Sequence, residues 1–237
     1  MTDSFKQFWN VIKGRNNKEE EVILPINAEL EIDLCSCLFT GTREFSMTVM
    51  RPTNIDSLHI TKILSQCFQV TNKKSAVDLL ENLRDRGSRW LYEILLPIYL
   101  AAKDRTAIQK IINKKLIATE KMQACADNLI SCLPRFQTNN ILTFEESDLQ
   151  DGILCWDMGE MIIVGRFAFE AGYLSEIEAK EYLTLACYYT HLTFKNGRKA
   201  AISYLLGKAM QEGNSISFEN AFDYLCKVLE REEKLWK

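Results

Sequence analysis

Along most of this chain apolar residues recur at steps of three and four, the spacing that lines one face of a helix. Phe5, Phe8, Trp9 and Ile12 predict a short amphipathic helix over residues 4–13, followed by a mixed-charge linker at 14–21. Leu30, Leu34, Cys37 and Leu38 predict another helix ending near Gly41. Residues 44–50 alternate instead (Phe45, Met47, Val49) and stop at Pro52, a pattern open to either an extended connector or a short strand. Residues 54–68 then carry Ile55, Leu58, Ile60, Ile63, Leu64 and Phe68. Thr71 is placed to cap a helix over 72–86 that turns Ala76, Leu79, Leu80 and Leu83 inward and ends at Gly87.

The apolar run from Trp90 to Ala102 contains Pro97, which removes a backbone donor and predicts a kink or a division. A longer helix is expected from Asp104 or Thr106 through Leu133, stopping before Pro134, and residues 135–152 are expected to be one long connection. From Ile153 to Ala171 apolar residues occur all round the helical wheel, which predicts a buried helix. Gly172 ends it, and Ser175 with Glu178 three residues on is a capping box opening a helix to about Phe194. After Asn196-Gly197, the residues Ala200, Ser203 and Gly207 form a small-residue stripe against which another backbone can pack closely. Ser215 or Ser217 caps a last helix carrying Phe218, Phe222, Leu225 and Leu229. The expected fold is therefore all-α, one multi-helix globular domain around a central buried helix. Residues 1–29 supply an N-terminal helix and linker, 30–212 the main helical body, and 213–237 a C-terminal helix packed on it.

Composition narrows the function classes. Of 237 residues 47% are hydrophobic, and the net charge of -3 comes with no pooled basic run, which argues against a nucleic-acid partner. The densest basic segment, Lys110 to Lys115, is offset by Glu120. The start of the chain lacks a secretory pattern, and the longest apolar run falls short of the roughly 20 residues that cross a bilayer, so a cytoplasmic protein without a membrane partner is expected. The eight cysteines contain no Cys-x-x-Cys pair, and only two histidines accompany them, which predicts buried reduced thiols rather than a metal site. Glu145, Glu146, Asp148 and Asp151 match no calcium-loop spacing and suit the positive end of the following helix. No phosphate loop, nucleophile elbow or zinc pattern is present, and no cofactor is expected.

The candidate chemistry lies in the central helix. At about 100° per residue Asp157 and Glu160 sit within roughly 60° of each other, whereas Arg166 is about 180° from Asp157. They cannot simply pair with one another across the helix, so Asp157 and Arg166 must each find a partner elsewhere. For Arg166, Glu170 and Glu178 are the neighbours in reach. These charges either fix how helices meet or hold a ligand or partner group in a cleft, together with Trp156, Tyr173 and Tyr204. His191, among Tyr188, Tyr189, Thr190 and Leu192, is expected at the core or its boundary.

The stretch Trp156-Asp157-x-Gly159, Arg166, Gly172-Tyr173-Leu174-Ser175 with Glu178-Ala179, and Tyr204-Leu205-x-Gly207 resembles the signature elements of the bacterial family termed domain of unknown function 1266. Residues 63–89 are similar to its upstream half, so the resemblance spans about residue 30 to 212. It departs at Glu160 and at Lys208, where arginine is usual, and at Thr193-Phe194, where Ser-Trp is usual. If those arginines served an anionic ligand, this chain has lost one and softened the other. The resemblance implies a helical bacterial cytosolic protein and brings no activity with it. The leading expectation is a binding or protein-interaction module without catalytic activity, with a protein partner or a second copy as candidate partners. The alternatives are a small-ligand or hydrolytic site on Asp157, Glu160 and Arg166, and an immunity or toxin-neutralising role.

Overall fold

The computed structural model describes residues 57–101, 106–107, 110–111, 120–194 and 196–231. The expected helices at residues 4–13 and 30–39, the segment at 44–50, and Trp9, Cys35, Cys37 and Trp236 lie outside these described residues. Within them the chain forms α1 (Ser57–Cys67), α2 (Lys73–Asp85), α3 (Arg89–Ala101), α4 (Glu120–Gln137), a 3-10 helix (Glu146–Asp151), α5 (Leu154–Glu170), α6 (Glu176–Thr193), α7 (Gly197–Glu212) and α8 (Ile216–Arg231). No strand occurs among the described residues, and no described helix is long and apolar enough to cross a membrane.

The helix at the centre is α5. It packs against α1, α2, α6 and α7, and α7 in turn contacts α4, α8 and the 3-10 helix. Surrounded on so many sides, α5 has no wet face: Met158, Met161, Ile162 and Val164 are fully buried and Phe167 nearly so. Full burial of such side chains stabilises by about 2 kcal/mol each relative to exposure, which is why its sequence is apolar all round the wheel.

The helix ends follow local chemistry. The predicted capping box is formed: Ser175 Oγ accepts from Glu178 N at 3.3 Å, and Glu178 Oε2 accepts from Ser175 N at 3.0 Å. Asn196 Oδ1 caps α7 through Lys199 N at 2.9 Å, and Ser215 Oγ caps α8 through Phe218 N at 3.0 Å. The cap of α2 is Asn72 rather than Thr71; its side chain accepts from Ser75 N while Ser75 Oγ accepts from Asn72 N, a reciprocal pair that Thr71 is one residue too early to make.

Neither internal proline divides its helix, although a division was one expectation at Pro97 and a stop was expected before Pro134. Pro97 lies within the assigned span of α3, and α4 continues past Pro134 to Gln137. The proline removes one donor, but its own carbonyl still accepts from Thr138 N at 3.1 Å, and the burial of Leu133 and Phe136 holds the last turn in place. Residues 135–152 are likewise not one loop. Asp148, 2% exposed, accepts from Glu145 N and from Arg198 at 3.0 and 3.1 Å, and Asp151 pairs with Lys199 at 2.7 Å. The acids in this segment therefore tie the 3-10 helix to the start of α7.

The small-residue stripe of α7 faces the start of α5. Ser203 Oγ accepts from Cys155 N at 3.2 Å, and a Cβ built on Gly207 would stand 2.2 Å from the Cβ of Trp156. Glycine is required here by contact, and the helix propensity it forfeits is offset by the closeness of α5 and α7. Gly207→Ala should therefore destabilise the domain by about 2 kcal/mol, even though alanine recovers about 1 kcal/mol of propensity. Urea denaturation measures this, and a variant as stable as the parent would show that the two helices can separate freely.

Candidate functional site

The site begins with a carboxylate in an apolar place. Asp157 lies in the first turn of α5 and is fully buried. Its partners come from the elbow between α2 and α3: it accepts from Ser88 N at 2.7 Å and Arg89 N at 3.3 Å, and pairs with Arg89 Nε at 3.0 Å. The carboxylate thus caps the first N–H groups of α3, where the helix dipole favours negative charge. Arg89 simultaneously donates to the carbonyls of Leu83 and Arg84, both at 2.8 Å, closing the C-terminus of α2. A Cβ on Gly87, whose φ is +52°, would lie 2.1 Å from Asp157 Oδ2. Only glycine gives both the left-handed turn and the room for the carboxylate. Burial pushes the Asp157 carboxyl up to about 6, against the pull of the Ser88 amide and of Arg89. Asp157 is a structural ion pair and does not face a cleft.

One turn further on, Glu160 has the opposite situation. It lines a cavity of about 370 Å³ and, among the described residues, makes no hydrogen bond or ion pair. Burial first, then the nearby charges of Asp157 and Glu212, push its carboxyl up to about 7, while Lys208 and Lys121 act in the other direction. The apolar wall of the cavity is Phe68, Leu79 and the Trp156 ring, and its polar rim includes Glu212 and Lys121. At one end Gln211 Nε2 donates to Ser88 Oγ at 3.1 Å, joining the end of α7 to the elbow that Asp157 holds. Gln69, in the wall beyond the end of α1, has φ +57°, a left-handed conformation that is uncommon for a non-glycine residue.

Trp156, 6% exposed, is held between partners: Tyr204 lies 5.4 Å away centroid to centroid, and Lys208 Nζ sits 5.5 Å from the ring centroid. Lys208 also pairs with Glu212 at 2.8 Å. The indole Nε1–H is buried and has no hydrogen-bond acceptor among the described residues. The two positions that depart from the arginines of the resembled family, Glu160 and Lys208, are thereby brought to the same place.

The predicted site residues separate into groups. Trp156 and Glu160 line the cavity, and Asp157 and Tyr204 lie outside its lining, Asp157 at the elbow and Tyr204 against Trp156. Arg166, 2% exposed, is on the far side of α5 in the core, and Tyr173 is half-buried at the turn after α5; neither lines the cavity. Glu178 is not available to Arg166, because Lys73 at 2.6 Å and Ser175 hold its carboxyl down at about 2. Glu170 accepts from Ser57 Oγ at 3.3 Å. His191 is half-buried, at the core boundary as expected. Ser88, Gln211, Glu212 and Lys121 were missed, and only the position of Glu212 one turn after Lys208 signalled any of them.

No group of three or more His, Cys, Asp or Glu side chains among the described residues is placed to hold a metal ion. Cys125, Cys132, Cys155, Cys187 and Cys226 are buried, whereas Cys67 is exposed at the cavity wall. Burial pushes the Cys132 and Cys226 thiols up to about 11, so they are unreactive packing residues.

Two predictions follow from this electrostatic arrangement. Asp157→Ala leaves Arg89 without its carboxylate and should cost about 3–5 kcal/mol by chemical denaturation, whereas an ordinary surface change costs under about 0.5 kcal/mol. Glu160 ionises near 4.5 when unfolded and near 7 when folded, so the folded chain binds more protons between those values. Its contribution is fully present below about pH 4.5 and is lost as pH rises through 7. Glu160→Gln should then gain on the order of 2 kcal/mol at about pH 8 relative to the parent, and the gain should vanish near pH 4. Parallel urea titrations across that range measure it, and a pH-independent difference would contradict the assignment.

The family described as "Protein of unknown function (DUF1266)" matches residues 63–237, taking in α8 as well as the motif-bearing helices. Searches of the curated proteins and of the solved structures find no match to this chain. With the Trp-Asp start of α5, the turn at Gly172 to Ser175 and the stripe of α7 all inside the matched region, the chain belongs to the DUF1266 family.

Proposed function

We propose that this domain is a cytosolic binding module without catalytic activity, and that its ligand site is the cavity between the ends of α1 and α7, the face of α2 and the first turns of α5. The observation that carries this reading is Glu160. Glu160 is half-buried in the cavity wall, its carboxyl has no bonding partner among the described residues, and no fold-holding contact there explains it. Asp157 a turn earlier shows how the same helix treats a carboxylate whose role is structural: it is sealed and fully paired. The volume, about 370 Å³, falls in the range of small-molecule sites, and the mixture of an indole wall with a few convergent polar groups is their usual composition.

Catalysis finds less support. Glu160 and Glu212 are the acids in the cavity lining, and Glu212 is engaged by Lys208 at 2.8 Å and by Ser215 Oγ at 3.2 Å. No nucleophile with an adjacent base is among the described lining residues, the exposed Cys67 lacking a neighbouring histidine in the lining.

A thermal-shift screen of small metabolites tests the reading, run on the parent and on Gln211→Trp, which fills the cavity from the end of α7. At about a hundredfold excess over Kd a true ligand should raise the parent's Tm by roughly 5 °C, leave Gln211→Trp unmoved and be recovered unaltered. A library that shifts neither protein sinks the proposal. A compound consumed by the parent would show an enzyme instead.

A further inference from the structure

The charges around the cavity are not evenly satisfied. Asp157 is answered by Arg89 at 3.0 Å, and Glu212 by Lys208 at 2.8 Å. Lys121, at the start of α4, is exposed, so its field at the cavity is screened by water. Glu160 alone of the acids here has no cation bonded to it among the described residues. The backbone adds to the same sign. The C-terminal ends of α1, at Cys67, and of α7, at Glu212, both border the cavity, and helix C-termini favour positive charge. Set against these, the N-terminus of α3 is already covered by Asp157, and the first turns of α4 and α5 bring Lys121 and Trp156 to the lining. Beside Glu160 stand the apolar surfaces of Phe68, Leu79 and Trp156.

Resting on the ligand-site reading above, we infer that the ligand is a small organic cation, an ammonium or guanidinium group on an apolar stem, whose charge is held by Glu160 and whose stem lies against Phe68, Leu79 and Trp156. A charge-assisted hydrogen bond supplies the recessed carboxylate with the partner it lacks. The stem covers the apolar wall, and an oxygen near the charged group would give the buried Trp156 Nε1–H its missing acceptor. An anion would meet Glu160, Glu212 and two helix C-termini at close range, with Lys208 already committed to Glu212 and to the Trp156 ring. Because burial first, then Asp157 and Glu212, hold the proton of Glu160 to about 7 against the pull of Lys208 and Lys121, binding of the cation is coupled to loss of that proton.

Isothermal titration of the full chain with benzylamine, benzyl alcohol and benzoate separates charge from shape, since the three share one ring. Benzylamine should bind about tenfold or more tightly than the other two, with the gap widening from about pH 6 to about pH 8 as Glu160 ionises. Glu160→Gln, which the arguments above expect to fold at least as well as the parent, should level the three. Benzyl alcohol or benzoate matching benzylamine, or a preference surviving in Glu160→Gln, would overturn the cation assignment while leaving the ligand-site reading to its metabolite screen. Silence from all three probes in a folded parent overturns the assignment as well, and the ligand-site reading falls with it only if the screen is also silent.

Discussion

The arrangement of this domain depends on one buried carboxylate. Asp157 ends the first turn of α5, starts α3 through Ser88 N and Arg89 N, and through the Arg89 guanidinium closes α2. Two helix termini, the end of α2 and the start of α3, each with backbone groups that no intrahelical partner can satisfy, are thus resolved by two side chains. A buried pair of this kind adds little net energy relative to an apolar replacement, but it has only one acceptable geometry. Its consequence is directional: α2 and α3 must meet α5 where Gly87 leaves space, and nowhere else along its length.

That placement creates the cavity. With the elbow held against the first turn of α5, and with Gly207 letting Trp156 press into α7, the ends of α1 and α7 are left facing each other across Glu160. The cavity is therefore a product of two close approaches, one governed by charge and one by size. Neither Asp157 nor Gly207 need touch a ligand to decide the shape of its site.

The parts legible in the sequence are those whose causes are local. The Ser175–Glu178 box, the turn at Gly172 and the cap at Asn196 each depend on residues three or four apart, so spacing alone reveals them. The stripe of α7 was legible too, because a close approach needs small residues whatever the partner. The partner of Asp157 was not: Ser88 and Arg89 lie 69 and 68 positions away, and nothing in their neighbourhood distinguishes an arginine that binds backbone carbonyls from one on a solvated face. Asp157, Glu160 and Arg166 looked alike as charges in an apolar helix, yet they proved to be a sealed pair, a cavity wall and a core residue. Helical spacing gives the angle between side chains on one helix, but it carries no information about what stands opposite each angle. Pro134 misled for a related reason, since the cost of one missing donor is local but the burial of Phe136 that outweighs it is not.

The same geometry has a kinetic side. α5, α6 and α7 follow one another through turns of a few residues, so their mutual contacts close short loops, whereas joining Ser88 to Asp157 closes a loop of nearly seventy residues. Loop-closure entropy favours early assembly of the three consecutive helices and late docking of α2 and α3 onto them. The carboxylate that gives the native state its register is thus a latch closed near the end of folding, and the seam it holds is where the structure can open first without dismantling its centre.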